Sequence, residues 1–428
     1  MKKILVSLIG CFVAICAHAA QIVNVDYVHK LIAQKWDISV PIKADNPMQV
    51  ANMKYLLTAI DVANEILNGE PTTDYGNGEF ATLQVADTVA TNTAVETLVK
   101  KEEKHEFTLT TTPNTSSFSF KISAAGEFVV DWGDGTVETI TKPDTTNTTY
   151  SHNYTTAGAY TIGLSGQATA YNTDPYTAAI SFVDTVDWEF DSTRQIASIN
   201  GSLGAIFGTL PDATEKQPRF CQTFYNASNM EGSIPENLFA GIYGAPASNM
   251  FYYTFDSCKG LTGAIPDGLF AGIYGAPAEW MFSGTFSYCS GLTSIPSDLF
   301  AGISGAPAEA MFSYTFYWCS GLTGAIPAGL FGNLTGAPAY GMFRNTFDGC
   351  SGLTSIPENL FGNISGPAQN YMFYYTFYNC TSLTGPSARI NGKYLYEIWP
   401  DATSDQVDGM YSGATGLSDY ATMPTVWK

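Results

Sequence analysis

The chain has 428 residues, 45% of them hydrophobic, and a formal net charge of −20. That acidic balance argues against nucleic acid and anionic membranes as partners. The length allows roughly two to four domains, and shifts in composition mark three behind an amino-terminal leader.

The leader is expected over residues 1–19: Met1-Lys-Lys, an apolar run from Ile4 to Ile15, then Ala17-x-Ala19. A basic start, a short apolar core and a small-residue cleavage site predict a secretory signal peptide cleaved near Ala19, and so a secreted or cell-surface protein. The apolar run is too short to commit to a membrane span, and no later segment is long enough, so no transmembrane segment is expected.

Residues 20–104 read as an α-helical region and a linker. Asp26 to Trp36 sets Val28, Leu31, Ile32 and Trp36 on one face. Asn46-Pro47 then offers an N-cap and a first-turn proline to an amphipathic helix carrying Met53, Leu56, Leu57, Ile60, Ala63 and Leu67. Gly69 stops it. A core helix is the plain reading and a partner-binding helix the alternative. Periodicity is lost after residue 70, and the charged run Lys100-Lys-Glu-Glu-Lys104 closes the linker.

Residues 105–185 change to Thr-rich alternation, in Phe118-Ser-Phe-Lys-Ile122, Glu127-Phe-Val-Val-Asp131 and Ala159-Tyr-Thr-Ile-Gly-Leu164. Period-two patterning between turn residues predicts the strands of an antiparallel β-sandwich. Asp134-Gly135 reads as a hairpin turn and Trp132 as a buried plug. Asp131 and Asp134 read as turn-forming carboxylates, with a metal pair as the alternative. The line Asp131-Trp-Gly-Asp-Gly-Thr136, with Tyr150-Ser-His-Asn-Tyr154 and Gly158-Ala-Tyr160, resembles the signature of PKD-type β-sandwich domains. The resemblance implies an extracellular spacer or binding module.

Residues 186–428 repeat one sentence about eight times. An aromatic recurs at Phe190, Phe224, Phe255, Phe286, Phe316, Phe347, Phe377 and Tyr411, at intervals of 30–34 residues. A fixed period of this size predicts a solenoid with terminal caps. Equivalent apolar sets such as Leu292, Ile295, Leu299 and Phe300 supply its core. Leu-Thr-x-Ile-Pro predicts a short strand, and Met-Phe-x-x-Thr-Phe a short helix, so the expected fold is an α/β solenoid. Units that read Leu-Thr-Gly-Ala-Ile-Pro are one residue longer than those that read Leu-Thr-Ser-Ile-Pro, which places a β-bulge at the extra Gly. The Phe-x-x-Cys-x-x-Leu-Thr-x-Ile-Pro line resembles the BspA-like leucine-rich repeats of bacterial surface proteins, although those repeats are shorter. The resemblance implies attachment to host or microbial surfaces.

Cys258, Cys289, Cys319, Cys350 and Cys380 occupy one repeat position, where another unit has Ala227 and the last has Ala414. A small buried side chain is expected there, with free thiols favoured over disulfides because stacked units hold their side chains parallel. Their spacing suits no metal site, and no metal or cofactor is expected. His29, His105 and His152 fall in no catalytic arrangement, and there is neither a Gly-x-Ser-x-Gly line nor a phosphate-binding loop. A non-enzymatic protein is therefore expected.

The candidate binding residues are Tyr252, Tyr253, Tyr288, Tyr314, Tyr317, Trp318, Tyr374, Tyr375 and Tyr378, in variable slots between core positions. Flat rings with a polar handle suit sugars or a protein partner; lateral packing between units is the competing explanation. One unit holds Arg344, Asn345 and Asp348 in those slots instead. Together these readings predict an adhesin-like secreted or surface protein that uses its repeats for multivalent recognition of protein or glycan. A surface-layer or stalk component and a polysaccharide-active enzyme are the alternatives.

Overall fold

A computed structural model describes residues 105–183 and 192–428. The chain divides into two compact units, Met1–Glu103 and Lys104–Lys428, and every described residue belongs to the second. The expected leader, the two amino-terminal helices and the linker lie outside the described residues.

The first part of this unit is built from eight strands. They are β1 (Phe107–Thr111), β2 (Thr115–Ile122), β3 (Ala125–Asp131), β4 (Val137–Lys142), β5 (Thr148–Gly158), β6 (Thr161–Ala170), β7 (Ile180–Ser181) and β8 (Ile196–Gly201). Alternation makes them strands: Phe118, Phe120 and Ile122 of β2 point inward, as do Phe128 and Val130 of β3, with exposed or half-buried residues between. All pairings are antiparallel, in a five-stranded sheet β4-β3-β6-β1-β8 and a three-stranded sheet β5-β2-β7. The two pack through Phe120 and Trp132, whose ring centroids are 5.5 Å apart.

This arrangement overturns the antiparallel, PKD-like β-sandwich expected over 105–185. Both sheets are open, β7 is two residues long, and the outer strand β8 comes from residues 196–201. Nor does the apolar core close on itself. Phe182 stacks on Phe224 of the second repeat at 5.4 Å, and Thr223 Oγ1 donates to the Ile180 carbonyl at 2.9 Å; Phe190, the aromatic of the first repeat, lies outside the described residues. The resemblance rested on a hairpin, which is present: Trp132 is buried, and Asp131 and Asp134 accept the turn amides of Gly133 and Thr136. A hairpin is a local device that many sheets share, and it does not specify how the sheets close.

Beyond β8, the α/β leucine-rich-repeat-like solenoid is overturned as well, and with it the resemblance to BspA-like repeats. Among the described residues the only α-helices are α1 (Leu203–Ile206), α2 (Leu395–Ile398) and α3 (Ser404–Val407), four residues each. None lies in the Met-Phe-x-x-Thr-Phe segments where helices were expected. The reason is the backbone. Asn249, Tyr253 and Ser257 have φ of 57°, 51° and 61°, and the next two units repeat this at Trp280, Gly284 and Tyr288 and at Ala310, Tyr314 and Trp318. An α-helix needs φ near −60° at every position, so a left-handed residue every fourth position forbids it.

What forms instead is a four-residue coil with two residues in and two out. Met250, Phe251, Thr254, Phe255 and Cys258 are buried, while Tyr252, Tyr253 and Ser257 reach the outer wall with Asp256 beneath them. The amides divide the same way. Tyr252, Thr254, Asp256 and Cys258 each donate to the carbonyl three residues back, at 3.0–3.3 Å. Phe251, Tyr253, Phe255 and Ser257 donate to Met281, Ser283, Thr285 and Ser287 of the next unit at 2.8–2.9 Å. Every second N–H is thus satisfied within the unit and the others between units, which removes the need for a helix or a long strand.

The remaining sheet is fragmentary. Strands β9 (Gly263–Ala264) and β10 (Leu292–Ser294) pair in parallel, as do β11 (Thr323–Ala325) and β13 (Gly352–Ser355), and β12 (Thr335–Gly336) with β14 (Asn363–Ile364). The register shifts beside Gly324, whose φ is 81°. A short hairpin, β15 (Arg389–Ile390) with β16 (Lys393–Tyr394), then leads into α2 and α3 at the carboxyl end.

Inside the stack, aromatic rings form ladders. Phe224, Phe255, Phe286, Phe316, Phe347, Phe377 and Tyr411 stack successively at 5.4–5.7 Å with planes within 11°. Thr and Cys ladders run beside them. Thr315 Oγ1 donates to the Phe282 carbonyl at 3.0 Å, and Cys319 Sγ to the Phe286 carbonyl at 2.9 Å. This explains the repeated Cys: it fills a small buried slot and its thiol donates to the previous unit. All six described cysteines are unpaired, and burial pushes the five ladder thiols well up from their ordinary range.

Candidate aromatic binding site

Of the candidate aromatics, Tyr253, Tyr288, Tyr314, Trp318 and Tyr375 occupy left-handed positions of the units, and Tyr252, Tyr317, Tyr374 and Tyr378 each immediately precede one. Tyr252, Tyr253, Tyr314, Tyr317, Tyr374, Tyr375 and Tyr378 are half-buried, whereas Tyr288 and Trp318 are 39% and 46% exposed. Lateral packing accounts for part of the set. A Cβ placed on Gly284 would lie 2.4 Å from the Tyr253 ring, and one on Gly409 2.4 Å from Tyr375. Trp318 lies over Gly349 in the same way.

The nine residues divide into two patches. Tyr252 and Tyr253 contact each other at 4.4 Å, and Tyr252 meets Trp280 and Tyr176 edge-on at 6.2 and 6.4 Å. The second patch is longer. Tyr288 contacts Tyr317 at 5.1 Å and Tyr317 contacts Tyr314 at 5.3 Å. Tyr371, Tyr374, Tyr375 and Tyr378 form a second run at 5.3, 4.2 and 4.8 Å. Arg344 joins the two runs. Its guanidinium carbon stands 5.5 Å from the Tyr314 ring centre, 4.9 Å from Tyr371 and 5.7 Å from Tyr374.

Polar groups lie beneath the second patch. Asn345 Nδ2 donates to Asp348 Oδ2 at 2.7 Å, and both residues are buried. Asp348 Oδ1, Asn345 Oδ1 and Arg344 Nε are buried and have no hydrogen-bond partner among the described residues. A buried polar atom left unpaired costs on the order of 1–3 kcal/mol, so the packing leaves this unit with three unsatisfied polar atoms. Burial pushes the Asp348 carboxyl up to about 6, although the bond from Asn345 pulls the other way. Burial also raises Asp256 below the first patch, against hydrogen bonds from Ser287 and Ser257. Tyr375 is pushed up to about 12, first by its hydrogen bond with Tyr374 and then by burial. Its hydroxyl therefore stays a neutral donor across the physiological range.

Sequence reasoning named aromatic slots that the structure places on the outer wall; it did not name Trp280, Tyr371 and Tyr176, whose rings contact them, and gave Arg344, Asn345 and Asp348 no role. The available signal was that one unit replaces three variable slots with polar residues that no other unit carries together. Elsewhere, His152 Nε2 pairs with Asp134 Oδ2 at 2.7 Å and stacks on Trp132 at 5.1 Å, and His105 lies 3.5 Å from Asp131. These contacts hold the hairpin. Among the described residues no group of three or more His, Cys, Asp and Glu is placed to hold a metal ion. No described helix is long and apolar enough to cross a membrane.

The adhesin-like reading, multivalent recognition through repeats, is corrected here. It was drawn from leucine-rich repeats that the chain does not form, and the polar cluster that would bind a ligand occurs in a single unit. No family model matches the chain, and no curated protein or solved structure matches it.

Proposed function

We propose that the protein is a non-enzymatic carbohydrate-binding protein with one principal site, the aromatic patch around Arg344, Asn345 and Asp348. The observation that carries this reading is the coincidence of flat Tyr rings with three buried, unpartnered polar atoms in the same unit. A sugar offers an apolar ring face to the Tyr platforms, and its hydroxyls would meet the buried amide and carboxylate only where the rings above them move aside. Pockets that mix aromatic walls with a few convergent polar groups are the usual form of a small-ligand site. Binding without chemistry suits a site in which Asp348 is the carboxyl buried beneath the rings and no His lies between residues 186 and 428 to pair with it. Export is part of the proposal, on the strength of the Met1–Ala19 leader; mass spectrometry of the mature amino terminus tests it.

Calorimetric titration of the whole protein with a panel of oligosaccharides tests the binding role. Tyr374→Ala and Tyr314→Ala should each weaken the tightest ligand by about tenfold or more, the effect of losing an anchor worth ~1.4 kcal/mol or above. Tyr243→Ala, exposed and outside the patch, should change nothing. Unchanged affinity in both aromatic variants would sink the assignment.

A further inference from the structure

The cation in the patch indicates which class of sugar it takes. Between residues 220 and 388 the only basic side chains are Lys259 and Arg344, in a chain of net charge −20. The other described arginines have oxygen partners: Arg219 pairs with Glu215 and donates to the Ser248 carbonyl, Arg389 pairs with Glu358, and Arg194 meets the Asn226 amide oxygen. Arg344 differs. Tyr314, Tyr371 and Tyr374 stand around its guanidinium at 4.9–5.7 Å, its Nε is buried without an acceptor, and no ion pair forms with it among the described residues. Rings stacked on a guanidinium satisfy its π faces and leave its N–H edges unpaired. Those edges form a planar fork that matches a carboxylate with two parallel hydrogen bonds.

We infer that the ligand is an acidic oligosaccharide of the hexuronate type and that Arg344 receives its carboxylate, with the Tyr rings holding the guanidinium in place and the pyranose against the patch. The inference rests on the carbohydrate-binding reading and narrows it. The net negative charge does not oppose it at contact range, and burial favours the neutral form of Asp348, the carboxyl of the same unit, whose Oδ2 accepts from Asn345. Exposed charges farther away than about 8 Å are largely screened at physiological ionic strength, whereas a pair inside a partly dry patch is not. Lys would not substitute, since an ammonium offers no planar fork.

The test uses the full chain and a series of hexuronate and sialylated oligosaccharides, each beside its methyl-esterified or neutral counterpart. The acid forms should bind the wild type at least about tenfold tighter than the esters, a difference of ~1.4 kcal/mol. Arg344→Gln should bring acid and ester within about twofold of each other, whatever it does to the affinity they share. Arg344→Lys should recover only part of the preference, and circular dichroism with thermal melting will confirm that both variants fold. If acid and ester bind the wild type equally, the carboxylate assignment is wrong while the carbohydrate reading stands. If no member of either series binds, both fall.

Discussion

The strands of residues 107–201 and the stacked units that follow satisfy the same backbone requirement in different ways. In the sheets each residue alternates sides, and most strand amides bond to an antiparallel neighbour distant in sequence. In the stack, residues go two in and two out, and amides alternate between a carbonyl three residues back and the adjoining unit. The first solution allows ordinary extended φ throughout. The second places a non-glycine residue in the left-handed region several times per unit, at about 1–2 kcal/mol each, and recovers that cost through ring ladders and inter-unit hydrogen bonds. A backbone period is therefore bought with side chains that repeat from unit to unit.

Core truncation is the strongest way to break this comparison. Phe120→Ala in the sheets and Phe316→Ala in the stack should each cost about 3–5 kcal/mol. They should differ in reach. Phe316 stacks on Phe286 and Phe347, so its loss should deprotect amides of those units first in hydrogen-exchange measurements, leaving β1–β6 protected. Equal deprotection everywhere would show that the two regions are one cooperative block.

Asp348 gives the next largest effect, and its sign can be worked out. Its carboxyl is raised from 3.8 to about 6 in the folded chain, so the folded state holds the proton more tightly. That contribution is fully present below about pH 4 and is lost as pH rises through 6, at most ~3 kcal/mol. Asp348→Asn should therefore gain stability relative to wild type as pH rises from 4 to 7, read by denaturant midpoints. A pH-independent difference would show that the carboxyl is not buried as described.

Glycine substitutions sharpen the contrast further. Gly284→Ala meets both a φ of 64° and the Tyr253 ring at 2.4 Å, and should cost about 2 kcal/mol. Gly324→Ala has a φ of 81° but open space around its Cβ, and should cost about 1 kcal/mol. Thr315→Val is the mildest change. It removes one hydroxyl donor within reach of the Phe282 and Phe312 carbonyls, both of which also accept backbone amides, so about 1 kcal/mol is expected from thermal melting.

The sequence made the interior of both regions legible, but not the backbone of the second. Period-two alternation located β2, β3 and β6 because a strand's side-chain period matches what alternation measures. Met250, Phe251, Phe255 and Cys258 were recognisable as core by their recurrence, and the small-slot reading of Cys held. The four-residue coil was misread because its inward pairs, spaced by four, fall almost on the stripe of a 3.6-residue helix. Only the left-handed residues decide between them, and the signal of Gly284, Gly349, Asn249 and Asn345 at those positions is diluted by Tyr, Trp and Ala at the equivalent positions of other units. The aromatic slots of the site were visible for the same reason as the core. Arg344 was not, because its meaning depends on Tyr314 and Tyr371 arriving from the units on either side.

Large residues of the outer wall rest on small ones in the following unit, as Tyr253 does on Gly284 and Tyr375 on Gly409. Along the stack that position reads Tyr253, Gly284, Tyr314, Asn345, Tyr375 and Gly409, a strict alternation of big and small. The stack therefore has parity. Deleting one unit would set two tyrosines, or two small residues, against each other, whereas deleting two adjacent units would restore every match along this row. As far as this row decides, changes of length should be tolerated in even steps and resisted in odd ones.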